Sequence, residues 1–143
     1  MARVKKVYVP SLVSAGSGVF SQANKLKYVD IGPCDIGMSF FSDCYSLRAI
    51  VFRNLDLKKP SLVSYGTPFG NCYHLTGTVN NSYNPNGDKD CYLYFPAKDI
   101  EEMKAKTNWT VYTDQMRILE EWTVDGTTTG EMDWERIGVS FDD

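Results

Sequence analysis

Cysteine and histidine are the residue types of this 143-residue sequence that could support metal or thiol chemistry. The cysteines are Cys34, Cys44, Cys72 and Cys91, with 9, 27 and 18 residues between successive members, and His74 is the only histidine. Structural zinc sites use closely spaced Cys and His ligands, such as C-x-x-C pairs, and the sequence has no such pair. We therefore expect neither a metal site nor a cofactor.

Catalytic motifs are absent from the sequence. There is no G-x-x-x-x-G-K-[ST] phosphate loop and no G-x-G-x-x-G after a predicted strand. Gly16-Ser-Gly18 is too short for a nucleophile elbow. His74 and its neighbour Cys72 fall at a predicted turn, where their side chains would be packed rather than reactive. We predict no catalytic residues and a protein that is not an enzyme.

Composition and charge limit the possible functions further. The length suits one domain, and an apolar content of 43% is that of a globular protein. No apolar run approaches the ~20 residues of a membrane span, and a net charge of −3 argues against nucleic-acid binding. Residues 1–59 have nine basic and four acidic residues, whereas residues 60–143 have six and fourteen. One interpretation is that the basic and acidic parts of the chain are simply solvated differently. The other is that they attract each other in head-to-tail contacts between copies of the chain.

Internal repetition determines which elements would position any functional residue. Three units align on phenylalanine: Phe20-Ser-Gln-Ala23, Phe41-Ser-Asp-Cys44 and Phe69-Gly-Asn-Cys72. A leucine follows each unit three residues later. In the first two units that leucine opens an L-x-x-L-x-L segment, Leu26–Ile31 and Leu47–Phe52, which predicts a short strand.

One unit carries a more specific pattern. Ile36-Gly37, Phe41, Cys44 and Leu47 resemble the BspA-type leucine-rich repeat of bacterial surface proteins, and the resemblance extends over roughly residues 6–96. It implies a short leucine-rich-repeat solenoid of three to four β-strand-containing coils over residues 1–96. It also implies that Cys44 and Cys72 are buried free thiols rather than disulfide partners.

The next segment predicts a helical C-terminal cap over residues 97–122. It consists of Ala97–Lys106 and a second helix, Thr110–Glu121, with apolar residues at helical spacing. This end of the repeat region is similar to the end of leucine-rich-repeat arrays in proteins of gut Firmicutes and their phages. An open array end exposes apolar core, and four residues are expected to cover it: Ile100, Met103, Trp109 and Trp122.

Residues 123–143 form an acidic C-terminal tail with six acidic residues and one basic residue, Arg136. A purely solvating tail would not need large apolar side chains, yet this one has Trp134, Ile137, Val139 and Phe141. These four residues either pack back on the repeats or form an attachment segment for a partner.

The strand alternation predicts a surface opposite the core. It comprises Tyr8, Lys27, Tyr28, Asp30, Arg48, Val51, Tyr92 and Tyr94. Tyrosine offers a large contact area with a polar tip, although its preference for strands explains the row equally well. From this face we predict a non-catalytic interaction module that binds a protein or a cell-surface glycan, as in adhesion.

The resemblance also supports an alternative function. The chain would be a structural component of a phage virion or tail, anchored through its C-terminal tail to other virion proteins or to copies of itself. In both cases we expect an extracellular location, on a bacterial cell surface or in a virion, although no signal peptide is visible at the start of the sequence.

Overall fold

The computed structural model describes residues 4–9, 20–31, 41–52, 69–106, 109–119, 121–124 and 127–132. Five strands of these ranges form one parallel sheet in chain order. They are β1 (Lys6–Val9), β2 (Tyr28–Ile31), β3 (Ala49–Phe52), β4 (Tyr92–Phe95) and β5 (Met116–Ile118).

The sheet register agrees with the repeat alignment. Tyr28 lies opposite Ala49 and Ile31 opposite Phe52, which are equivalent positions of the first two units. The third unit departs from this pattern, because its leucine lies in a one-turn helix, α1 (Tyr73–Thr76), and the strand that pairs with β3 is β4. The loop 77–90 connects α1 to β4.

Equivalent turns of the repeats stack on one another. The Phe41 ring lies between those of Phe20 and Phe69, with centroid distances of 5.7 and 5.6 Å and nearly parallel planes. Two residues after each phenylalanine, Gln22, Asp43 and Asn71 have left-handed backbones, with φ of 64°, 62° and 59°. The Gln22 N–H donates to the Ser42 carbonyl at 2.8 Å, and the Asp43 N–H to the Gly70 carbonyl at 2.8 Å.

The predicted leucine-rich-repeat solenoid is wrong. The described residues form an open, all-parallel sheet with few helices, which is a small α/β-type fold, and no solenoid is seen in them. The repeat motif specifies one strand and one buried turn for each unit. It does not specify the path of the chain from one strand to the next turn, so coil closure did not follow from the pattern.

The predicted helical cap over residues 97–122 is only partly helical. Helix α2 covers Ala97–Ala105, and a 3₁₀ helix follows at Thr110–Gln115. The prediction of one helix over Thr110–Glu121 is wrong, because Met116–Ile118 forms strand β5. In this strand Arg117 lies opposite Tyr94. Thr110 and Val111, the β-branched residues at the start of the predicted second helix, disfavour an α-helix.

A two-stranded antiparallel hairpin follows the sheet. Its strands are β6 (Glu121–Val124) and β7 (Thr127–Met132). The segment predicted as an acidic tail that packs back on the repeats or attaches to a partner therefore begins as regular structure, and its residues Trp134, Ile137, Val139 and Phe141 lie outside the described residues.

Both faces of the central strands are buried. Val29, Ile50 and Leu93 face the main core, together with the stacked phenylalanines, and none of the three is exposed. Ile100, Met103 and Trp109 pack into the same core. The opposite face holds a second buried cluster of Tyr28, Ala49, Val51 and Tyr94. No helix among the described residues is long and apolar enough to span a membrane.

Candidate functional site

Half of the predicted binding face is inaccessible. Tyr28, Asp30 and Val51 have no exposed surface, and Tyr94 is 6% exposed. The Tyr28 hydroxyl donates to Oδ2 of Asp30 at 3.2 Å within this buried layer. The predicted exposure of these four residues is wrong, because a parallel sheet commonly has both faces covered.

The other four residues of that face do not form one site. Tyr8, Lys27, Arg48 and Tyr92 are half-buried. Tyr92 lines a groove beside β5 together with Tyr94, whereas Arg48 belongs to a polar network around His74.

The groove lies between β4, β5 and α2 and has a volume of about 580 Å³. Its apolar lining includes Tyr92, Tyr94, Ile100 and Ile118. Ile118 is 52% exposed and adds a large aliphatic side chain to the apolar lining of the groove. The groove therefore offers apolar surface to solvent at the last strand of the five-stranded sheet.

Three charged residues, Glu101, Lys104 and Arg117, also line the groove. The Arg117 guanidinium lies 4.6 Å from the ring centroid of Tyr92, a cation–π contact. Its Nη1 donates to the carbonyls of Asp114 and Met116 at 2.7 and 2.9 Å, which fixes the exposed side chain. Lys104 Nζ lies 3.6 Å from Glu101 Oε1. Two cations and one carboxylate thus line the same groove as the Tyr92 ring.

A second aromatic cluster was not predicted from the sequence. The rings of Tyr45 and Tyr73 stack at 5.1 Å, and Tyr83 lies tilted at 4.7 Å from Tyr45. Desolvation, followed by the charge of Asp43, raises the pKa of the Tyr45 hydroxyl. Tyr45 and Tyr73 both follow the cysteine of a Phe-x-x-Cys motif, so an aromatic residue at this position of two units was the available signal.

His74 is buried and belongs to a partly exposed polar network beside this tyrosine cluster. Its Nδ1 is 2.5 Å from Asp90 Oδ1, and its Nε2 is 2.8 Å from the Tyr83 carbonyl oxygen. Nη1 of Arg48 donates to Asp90 Oδ2 at 2.6 Å. Arg48 therefore forms an ion pair within the protein, and His74 connects α1 to the loop 77–90.

Asn84 organises that loop. It is 1% exposed, and its Nδ2 group contacts the carbonyl oxygens of Tyr73, Thr78 and Asp88 at 3.0–3.2 Å. Its Oδ1 accepts from the Asp88 N–H at 3.0 Å. No group of three or more potential metal ligands occurs within the described ranges, and the site has the features of a structural framework.

The prediction of buried free thiols is confirmed for Cys44 and Cys72, and Cys91 is a buried free thiol as well. The Cys44 thiol donates to the Phe20 carbonyl at 2.8 Å. Burial raises the pKa of Cys44 to about 12 and that of the other two thiols well above its ordinary value. These thiols are therefore poor nucleophiles near neutral pH. Cys34 lies outside the described residues.

Comparisons with known proteins found no matching family model, no matching curated protein and no matching solved structure. The resemblance to BspA-type repeats, and the functions that it implies, stay predictions.

Proposed function

We propose that this protein is a non-catalytic interaction module that binds a protein or glycan through the groove beside β5. The observation that supports this proposal is the fixed guanidinium of Arg117 over the Tyr92 ring, next to the exposed Ile118. The groove replaces the broad strand face as the binding surface, because Tyr28, Asp30 and Val51 of that face are buried, whereas Tyr92 is half-buried and lines the groove.

The groove has the composition of a recognition site. Arginine and tyrosine are enriched among the residues that contribute most to binding at protein interfaces. A volume of about 580 Å³ lies within the range of ~300–1,000 Å³ that is common for ligand pockets. Tyrosine rings also stack on sugars and peptides, and the charges of Lys104 and Glu101 would fix the orientation of a polar ligand.

The test begins with the full chain on an array of immobilised glycans and on a library of displayed peptides. For a ligand found there, Glu101→Ala and Arg117→Ala should each weaken binding, Arg117→Ala by about tenfold or more. Glu102→Ala is the matched control, because Glu102 is the exposed neighbour on α2 and does not line the groove.

Thermal melting separates lost contacts from lost structure. Arg117 also bonds two backbone carbonyls, so Arg117→Lys serves as a second variant that keeps the charge but loses the fork geometry. Binding that is unchanged in both Arg117 variants would refute the groove as the binding surface. A stable homo-oligomer of the full chain in light scattering, with no ligand on either array, would instead favour the structural-component alternative.

A further inference from the structure

Strand β5 lies at the edge of the five-stranded sheet. It pairs with β4 on one side, and the hairpin of β6 and β7 forms a separate sheet. The Leu119 N–H donates to the Phe95 carbonyl at 2.8 Å. In a parallel pair this bond means that Leu119 and Arg117 direct their backbone groups towards β4. The backbone N–H and carbonyl of Ile118, which lies between them, therefore point away from the sheet.

Ile118 is the residue of β5 whose outward backbone groups are open. The Met116 N–H donates to the Thr113 carbonyl, and the Met116 carbonyl accepts from Arg117 Nη1 at 2.9 Å. Within the described ranges no hydrogen bond reaches the outward groups of Ile118, and the residue is 52% exposed. An open N–H and carbonyl at a sheet edge are the groups to which an added strand binds.

The groove follows this edge rather than one face of the sheet. Arg117 lies opposite Tyr94, which belongs to the second buried cluster. Ile118 lies opposite Phe95, which belongs to the main core, because successive side chains of a strand point to opposite faces. Arg117 and Ile118 both line the groove. A ligand in the groove therefore contacts both faces of the sheet along the edge of β5.

The two faces offer different chemistry to a ligand. On one face, Arg117 has its Nη1 group bound to two backbone carbonyls, while its Nε and Nη2 groups donate to no residue of the described part of the chain. Guanidinium donors in this fork geometry suit a carboxylate. On the other face, Ile118 offers apolar surface. Lys104 and Glu101 offset each other at 3.6 Å, so the net charge of the groove is the positive charge of Arg117.

We propose that the groove takes an extended peptide of a partner protein, which joins the sheet as a strand beside β5. The peptide backbone accepts from the Ile118 N–H and donates to the Ile118 carbonyl. Its side chains alternate, with carboxylates on the face of Arg117 and apolar groups on the face of Ile118. This assignment rests on the proposed binding role of the groove and narrows its ligand to an acidic, strand-forming peptide.

Nuclear magnetic resonance of the full chain with a synthetic hexapeptide tests the assignment. The peptide alternates glutamate and valine and has blocked ends, and a control peptide of equal composition has its glutamates and valines in two blocks. At saturation the alternating peptide should slow amide exchange of Ile118 by about tenfold or more, because this N–H gains an acceptor. The Leu119 amide is the internal control, since its acceptor in β4 is present without the peptide. The block peptide should bind at least about fivefold more weakly.

Two substitutions of Ile118 separate its backbone from its side chain. Ile118→Ala keeps the N–H, whereas Ile118→Pro also removes it, and an edge strand tolerates proline where the N–H faces solvent. Ile118→Pro should therefore bind the alternating peptide at least about fivefold more weakly than Ile118→Ala. Thermal melting checks that both variants fold, and exchange of the wild-type amide decides the question if the proline variant does not.

Peptide binding with unchanged exchange at Ile118 would overturn strand addition, and so would failure of the alternating peptide to bind. The proposed function would survive either result if a ligand from the glycan or peptide arrays binds in a manner that depends on Arg117. Binding that is independent of Arg117 for every ligand would refute the groove as the binding surface, and strand addition with it.

Discussion

Asn84 gives the sharpest test of how the loop 77–90 is held together. The Asn84→Ala substitution removes an amide that contacts three carbonyl oxygens and accepts one backbone N–H, in a residue that is 1% exposed. The Tyr73 carbonyl keeps its bonds from the Gly77 and Thr78 N–H groups, so the main losses are at Thr78 and Asp88.

The free-energy cost of each lost hydrogen bond can be taken from measured mutational series. A neutral hydrogen bond contributes about 0.5–1.5 kcal/mol, and a buried group left without a partner costs about 1–3 kcal/mol. For three affected contacts with partial access of water, we expect the free energy of unfolding to fall by about 2–3 kcal/mol. For a chain of this size that corresponds to a decrease in Tm of roughly 4–12 °C.

Urea denaturation with a common m-value is the assay, and Asn86→Ala is the control. Asn86 is an exposed asparagine of the same loop, two residues further along the chain. Its substitution should change stability by less than ~0.5 kcal/mol, as surface substitutions usually do. If the two variants are equally stable, or if Asn84→Ala costs less than about 1 kcal/mol, the role assigned to Asn84 is refuted.

Two further predictions concern the stacked turns. Phe41→Ala should destabilise the protein by about 3–5 kcal/mol in urea denaturation, because Phe41 is fully buried between two other phenylalanines; a loss near 1 kcal/mol would contradict that packing. For Cys44, burial raises the pKa from 9.0 to about 12, so the unfolded chain loses its proton first as the pH rises. The contribution of Cys44 to stability should therefore be complete below pH 9 and be lost between about pH 9 and 12, so Cys44→Ala should make the alkaline loss of stability shallower; an equal slope in both proteins would contradict this.

The sequence pattern predicted the strands better than their surroundings. The alternation in Leu47–Phe52 predicted a strand, and its apolar residues Ile50 and Phe52 lie in the main core; the spacing of the phenylalanines matches the register between β2 and β3. The same alternation could not show whether the opposite face was covered. Tyr28 and Val51 were therefore expected at the surface although they are buried.

The polar network escaped prediction for a different reason. His74 meets a carboxylate 16 residues away and a carbonyl nine residues away, and no local periodicity encodes such contacts. The groove was missed because β5 was expected to be helical: the apolar spacing of Tyr112 and Met116 fits one helix face, yet Met116 begins a strand. Local spacing describes elements well, whereas sites arise where distant elements meet.

The spacing between paired strands has a consequence for sequence length. Tyr28 pairs with Ala49 across 21 positions of the chain, whereas Ala49 pairs with Tyr92 across 43 positions, and both pairs belong to one regular sheet. The loop 77–90 takes up part of the additional length, and β3 pairs with β4 through residues that lie outside this loop. Lineages or engineers can therefore lengthen a unit between its turn and its strand while the strands keep their alignment, whereas adding one residue inside a strand would turn its core side chains to the opposite face.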